Sequence, residues 1–452
     1  MKLSRNLFIL ILTLLLFHIE ANAQGNQNKI NIQKLNNYFQ KLATDNKIMG
    51  SFAIAENGKI IYKKTIGYSS VKNKLKINPS TKFRIASTTK LFTATLIFQL
   101  IDEGKLALDT KLSKFYPEIP NSEDITIEML LNHKNGLYDY INDFEKEVKD
   151  QTLLTKYRGY DNIMAAIISK SPKHKPNEKT TYSNSGYYLL TQISKKITKK
   201  EYADLVKNNI CKKINLNNTY SPTDNELKKN EARSYEFKDN KWIEMTELYF
   251  PDVIGVGNIL STNEDLITFN EALLNGKLIS IESLKHMKTY SGEVFCTGMM
   301  EIPFFEYTGY GHAGDVIGSH NVLGTFENEK LSFAISINGG NISTNQVSIA
   351  ILSAMFNKDY SLPNFDSVEL ADDILTEYEG IYENKDINVN ISITRKGKKL
   401  VVQATGQDSF EFNAIDEQTF KSYEVGIELV FKKSEKEFLL KQGGKSFTFK
   451  KK

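Results

Sequence analysis

Residues 91–105, "LFTATLIFQLIDEGK", are apolar almost all the way round a helical wheel and stop at Gly104. A helix of that kind has no face to give to water, so the chain must wrap other elements around it in the middle of a domain. With 452 residues, 40% hydrophobic and 25% charged, a globular chain of two domains is expected. Directly ahead of the apolar run stands Ser87-Thr88-Thr89-Lys90. In the first turn of such a helix the backbone N–H groups are unused and the dipole is positive. A side chain three residues on lies one turn above, within reach, so Lys90 can meet the Ser87 hydroxyl. Burial favours a neutral amine, and a neutral amine can take the serine proton. On this motif alone a serine N-cap with Lys90 snorkelling to water is an equal reading. The spacing itself is cheap: Ser69-Ser70-Val71-Lys72 repeats it with no helix behind it.

Around this centre the patterns alternate between strands and helices. A first helix is expected over 31–46, then a hairpin about Glu56-Asn57-Gly58. A helical middle runs through "ITIEMLLNHKNGLYDY", "YDNIMAAIISK" and "YSNSGYYLLTQISKKI". After a polar irregular stretch comes "STNEDLITFNEALLNGK", with capping-box spacing from Ser261 to Glu264 and a stop at Gly276. Strands return at "YGHAGDVIGSHNVLGTFENEKLSFAISING", turning at residues 327–330, and the helix "VSIAILSAMF" closes the unit. This order predicts an α+β fold whose N- and C-terminal segments share one antiparallel sheet. Near residues 357–367 the pattern changes. Ile387, Val389, Ile391 and Ile393 alternate with polar residues, and turns are expected at Lys396-Gly397, residues 434–436 and Gly443-Gly444. The expected division is 1–23 leader, 24–360 main domain and 368–452 an all-β meander or small barrel.

Lys2 and Arg5 precede an apolar run from Leu7 to Phe17 and then Ala21-Asn22-Ala23, the arrangement of a cleavable signal peptide. Export to periplasm or medium is therefore expected, with Gln24 as the first mature residue and no stable membrane insertion afterwards. Cys211 and Cys296 are the chain's two cysteines, compatible with one bridge or two buried thiols. The net charge of +4 is too slight, and the lysines too scattered, for nucleic acid. His133, His174, His286, His312 and His320 lack the spacing that clusters metal ligands, so neither metal nor organic cofactor is expected.

Two further motifs bear on Ser87. Tyr-x-Asn occurs at Tyr140, Tyr160, Tyr182 and Tyr382, but only "TTYSNSGYYLL" sets it on a small-residue loop before an apolar helix. There the Tyr182 phenol can relay a proton and the Asn184 amide can orient substrate and lysine. In "YGHAGDVIG", Gly311 and Gly314 flank His312 on a strand and permit another backbone to come close. The N–H of Asp315 could then join that of Ser87 as an oxyanion hole. Each residue taken singly also fits an ordinary packed tyrosine or strand histidine.

Ser-x-x-Lys, Tyr-x-Asn and a His-x-Gly strand in that order resemble the penicillin-recognising serine hydrolases: class C β-lactamases, D-alanyl-D-alanine carboxypeptidases, D-aminopeptidases and related esterases. "FRIASTTKLFTA", "LLNHKNGL", "TYSNSGYYLL" and "GVGNILSTNEDLITFNEALLNGKLIS" are similar to stretches at the same places in that family. The resemblance implies an antiparallel sheet flanked by helices, an all-helical region, and a site in the cleft between them. It also implies Ser87 as acylated nucleophile, Lys90 as base, Tyr182 as proton relay, Asn184 as substrate and lysine contact, and residues 312–314 as the edge strand. His312 departs from the lysine of β-lactamases and carboxypeptidases. An exposed imidazole with pKa near ~6.5 is mostly neutral at pH 7 and anchors a substrate carboxylate poorly. The expectation is thus an exported hydrolase of a small ester or peptide, peptidoglycan-derived molecules among the candidates. A β-lactamase or carboxypeptidase, and an inactive peptidoglycan- or partner-binding protein, stand as alternatives.

Overall fold

The computed structural model describes residues 30–452 except 148–155, 239, 386–388, 406, 408, 424 and 443–444. The expected leader and cleavage site, Ile387, Asn388 and the turn expected at Gly443-Gly444 lie outside the described residues. The chain forms two compact units, one of residues 49–339 and one of 30–48 with 340–452.

In the first unit an antiparallel sheet runs in the spatial order Lys59–Ile66, Ile48–Glu56, Leu331–Gly340, Ser319–Phe326, Tyr307–Val316, Met300–Phe304, Phe295–Cys296, Tyr290–Gly292. N- and C-terminal strands therefore sit side by side, as the order of patterns predicts. Both expected hairpins form: Glu56 pairs with Lys59 across Asn57-Gly58, and Phe326 with Leu331 across residues 327–330. The helix Thr89–Asp102 is buried at every position from Thr89 to Leu100. Its Phe92 ring stacks on Phe269 of the helix Asn263–Leu274 at 3.8 Å between centroids. The helix Asn184–Thr198 packs beside it and contributes Tyr187, Leu190 and Ile193 to the same core.

One local expectation moves by a residue. Thr262, not Ser261, caps the helix Asn263–Leu274, accepting the N–H of Asp265. Ser261 is drawn away by the Thr219 hydroxyl at 2.8 Å, and Glu264 pairs with Lys63.

In the second unit the helices Ile32–Thr44 and Thr344–Met355 meet, the Tyr38 hydroxyl donating to the Gln346 carbonyl. Beyond them eight antiparallel strands, from Gly380–Asn384 to Lys445–Lys451, close into a barrel. Closure brings Tyr382 against Lys451 and leaves no free edge. The alternation read in the sequence supplies the filling: Ile391 and Ile393 point inward, with Phe412, Phe420, Phe431 and Phe438.

Candidate active site

Ser87 stands in a single 3-10 turn, Ala86–Thr88, and the α-helix begins only at Thr89. Ala86 is held at φ +45°, a left-handed conformation that costs a residue with a Cβ about 1–3 kcal/mol. Neighbours fix this turn. Ile85 donates its N–H to the Ile259 carbonyl, the Thr88 hydroxyl donates to Asn321 Oδ1 at 2.9 Å, and the Thr89 hydroxyl accepts the Ile259 N–H. The turn thus presents a partly exposed Ser87 over a buried Lys90.

Lys90 has 0% of its surface exposed. Its Nζ lies 2.9 Å from Asn184 Oδ1, 3.1 Å from the Val256 carbonyl and 3.1 Å from Ser87 Oγ. Burial pushes its pKa down to about 7, against the pull of Asp139. A neutral amine has two N–H donors and one lone pair. Asn184 Oδ1 and the Val256 carbonyl can only accept, so they take both N–H groups and the lone pair faces Ser87 Oγ.

Tyr182 lies on the same side of the site. Nζ of Lys90 is 4.8 Å from the centroid of its ring, and the Tyr182 hydroxyl is coupled to the Ser87 side chain. Burial raises its pKa, and hydrogen bonding to Ser87 works in the opposite direction. His133 packs tilted against Tyr182, 4.6 Å between ring centroids, and accepts the Ser183 N–H at Nδ1, which fixes the loop ahead of the helix. Burial, with Lys90 nearby, keeps His133 uncharged. Asn184 opens the helix Asn184–Thr198, its predecessor Ser183 serving as N-cap.

The third element is the strand Tyr307–Val316. Its pairing with Met300–Phe304 ends at Gly311, so residues 312–316 have one unpaired side. The turn carrying Ser87 lies close to Gly314: a Cβ there would stand 2.3 Å from the Ile85 carbonyl oxygen, 2.8 Å from Ser87 N and 2.9 Å from Thr88 N. Only glycine allows that approach. Asp315 follows, its exposed carboxylate bonded to His320 Nδ1 at 2.6 Å.

His312 corrects the expectation of an exposed imidazole. It is buried, 3% exposed, with Nδ1 against the Ala313 carbonyl at 2.5 Å. Burial, then the proximity of Lys90, pushes its pKa down to about 3. Alternation on the strand puts residue 312 on the inner side, which the sequence pattern left undecided.

Ser87, Lys90, Tyr182 and Asn184 are thus brought together, and Gly314 and His312 border them. Sequence reasoning passed over Ala86, the Val256 carbonyl and Asp139. The quoted "LLNHKNGL" contains His133 but stops two residues short of Asp139. The other Tyr-x-Asn copies stand elsewhere: Tyr140 donates to the Asp252 carbonyl, and Tyr382 belongs to the barrel. Cys211 and Cys296 are separate buried thiols, each pushed up to about 12 by burial.

A buried lysine under a serine, with a tyrosine beside them at the edge of an antiparallel sheet, defines a serine hydrolase of the β-lactamase and transpeptidase fold. The chain belongs to the β-lactamase family, whose model matches residues 35–364. It is similar to PbpX of Bacillus subtilis (strain 168), named as a penicillin-binding protein, with 29% identity over 336 residues, 74% of this chain and 78% of that one. Among solved structures it resembles the octameric penicillin-binding protein homologue from Pyrococcus abyssi (22% identity, TM-score 0.66, 93% of this chain, 100% of that one). It also resembles a D-stereospecific amidohydrolase from Streptomyces (25% identity, TM-score 0.61, 71% of this chain, 98% of that one).

Proposed function

We propose that this protein is an exported serine hydrolase that opens an ester or amide bond through an acyl-enzyme on Ser87. The observation that carries the reading is the buried Lys90 Nζ, 3.1 Å from Ser87 Oγ and bonded to two pure acceptors, Asn184 Oδ1 and the Val256 carbonyl, which in the neutral amine leaves the lone pair for Ser87. Lys90 takes the Ser87 proton as Oγ attacks the carbonyl carbon. The N–H groups of Ser87 and Asp315 receive the oxyanion, the second brought close by Gly314. Tyr182, next to Ser87, passes a proton to the departing amine or alkoxide. Water then attacks the ester on Ser87 and the same groups run in reverse. The left-handed Ala86 backbone and the buried base are features a merely structural serine does not require.

His312 narrows the substrate. A buried neutral imidazole offers no cation to a carboxylate beside the scissile bond, which β-lactams and acyl-D-alanyl-D-alanine carry. Esters or amides without that carboxylate fit better, and the likeness to a D-stereospecific amidohydrolase keeps amides among the candidates. The leader over residues 1–23 is the ground for export.

Labelling the purified chain with a fluorophosphonate and with a fluorescent penicillin, followed by peptide mapping, tests the reading. An adduct on Ser87 is expected. No adduct from either probe on folded protein would leave a binding protein in place of an enzyme. Nitrocefin hydrolysis as fast as that of a short-chain p-nitrophenyl ester would overturn the substrate preference.

A further inference from the structure

We propose that Asp139 is the positioning residue of this site: its buried carboxylate sets which way the Asn184 amide faces, and so holds the Lys90 lone pair on Ser87. The inference rests on the acyl-enzyme reading above. Asp139 is 0% exposed and receives four N–H groups. Oδ1 accepts from Ile141 N at 3.0 Å, Asn142 N at 2.8 Å and Asn184 Nδ2 at 3.2 Å, and Oδ2 accepts from Asn184 N at 2.7 Å. The first two tie the carboxylate to its own turn. The other two tie it to Asn184, both the backbone and the side chain.

An amide has an acceptor on one side and a donor on the other, and an ionised carboxylate only accepts. Nδ2 of Asn184 therefore turns to Asp139, and Oδ1 is left facing Lys90 Nζ. The reverse orientation would set oxygen against oxygen and an NH2 against the amine. With Asn184 Oδ1 fixed as one acceptor and the Val256 carbonyl as the other, the amine has one orientation, the productive one. Asp139 acts through Asn184 and touches neither Ser87 nor a substrate atom placed on it.

The same carboxylate is the charge that opposes burial at Lys90. The other titratable groups around Nζ carry none. The phenols of Tyr182 and Tyr187, 4.8 and 5.7 Å from Nζ at their centroids, are raised by burial, and His133 and His312 are lowered by it. If the carboxylate only capped the helix Asn184–Thr198, a neutral acceptor in its place would remove the charge but leave the neutral Lys90 amine as reactive as before. A carboxylate that orients Asn184 shows itself in both the titration of Lys90 and the rate once Lys90 is neutral.

The test is the second-order rate of Ser87 labelling by a fluorophosphonate from about pH 5 to pH 9, on the full chain and on Asp139→Asn, Asp139→Ser and Asp139→Glu. In the unsubstituted chain the rate should rise through about pH 7 as Lys90 loses its proton. Removing the charge that opposes burial at Lys90 should move that rise down by roughly one to two pH units in the Asn and Ser variants. The plateau should fall by roughly 10- to 100-fold as the amine loses its orientation. Asp139→Glu should return the rise towards its original pH. A plateau that falls with the rise unmoved overturns the proposal and leaves Asp139 a structural cap, and a rise that moves with the plateau within about threefold of the parent overturns it as well, because charge alone then explains the shift. Circular dichroism decides which neutral variant is folded, and either one suffices. No adduct on the unsubstituted chain sinks the acyl-enzyme reading and this role with it, a result distinct from an unmoved rise.

Discussion

Replacing Gly314 by alanine puts a Cβ 2.3 Å from the Ile85 carbonyl oxygen, 2.8 Å from Ser87 N and 2.9 Å from Thr88 N. All three are backbone atoms, held by the Ile85–Ile259 and Thr88–Asn321 hydrogen bonds, so no side chain can swing aside. Carbon contacts settle near ~3.5 Å, so the strand Tyr307–Val316 and the Ser87 turn must part by about 1 Å. That separation pulls the two proposed oxyanion donors off a common point. Losing one such donor costs about 10²- to 10³-fold in rate, or ~3–4 kcal/mol of barrier. Overpacking should also cost about 1–3 kcal/mol of stability. The assay is the second-order rate of fluorophosphonate labelling at Ser87, read beside a thermal melt. Gly397→Ala is the control: its φ is +60°, so the substitution is strained, but nothing lies within 4 Å of the added methyl. It should lower the melting temperature slightly and leave labelling unchanged. Gly314→Ala that labels within about threefold of the parent at an unchanged melting temperature would show that the strand does not form the oxyanion site.

Ser87→Ala should abolish covalent labelling while the melt is preserved, because the turn is held by its neighbours and not by the hydroxyl. Lys90→Met should label far more slowly yet be more stable below pH 7. The lysine pKa falls on folding from 10.5 to about 7, so its penalty is complete below pH 7 and fades as pH rises towards 10.5. Unfolding in urea at several pH values reads this, and a gain independent of pH would refute it. His312→Gln should leave the pH of the labelling rise in place, since His312 is already uncharged above about pH 3. Phe431→Ala empties the centre of the aromatic cluster with Tyr378, Phe420 and Phe438, and should cost the barrel roughly 3–5 kcal/mol in denaturant unfolding.

The sequence by itself determined the buried helix behind Ser87, the two hairpins and the shift to period-two alternation in the C-terminal part. Each is a local pattern in which burial or turn chemistry acts within a few residues. It also singled out Ser87, Lys90, Tyr182 and Asn184, because their surrounding patterns differ from those of Ser69 and the other Tyr-x-Asn copies. Tertiary structure alone decided what lies between these segments. Thr262 took the cap because Thr219, 42 positions before Ser261 in the chain, engages the Ser261 hydroxyl. The barrel closed because Gly380–Asn384 found Lys445–Lys451, a pairing no local alternation encodes. His312 is buried and uncharged because a strand's inner side is fixed only by what packs against it. Asp139 gave no signal of its own, since an aspartate in a turn reads as a turn residue until Asn184, 45 positions on, meets its carboxylate. Ser87 and Lys90 were legible as a pair because they stand three residues apart where the 3-10 turn runs into the buried helix. Orientation of the base was not, because it depends on hydrogen bonds between segments that only folding brings together.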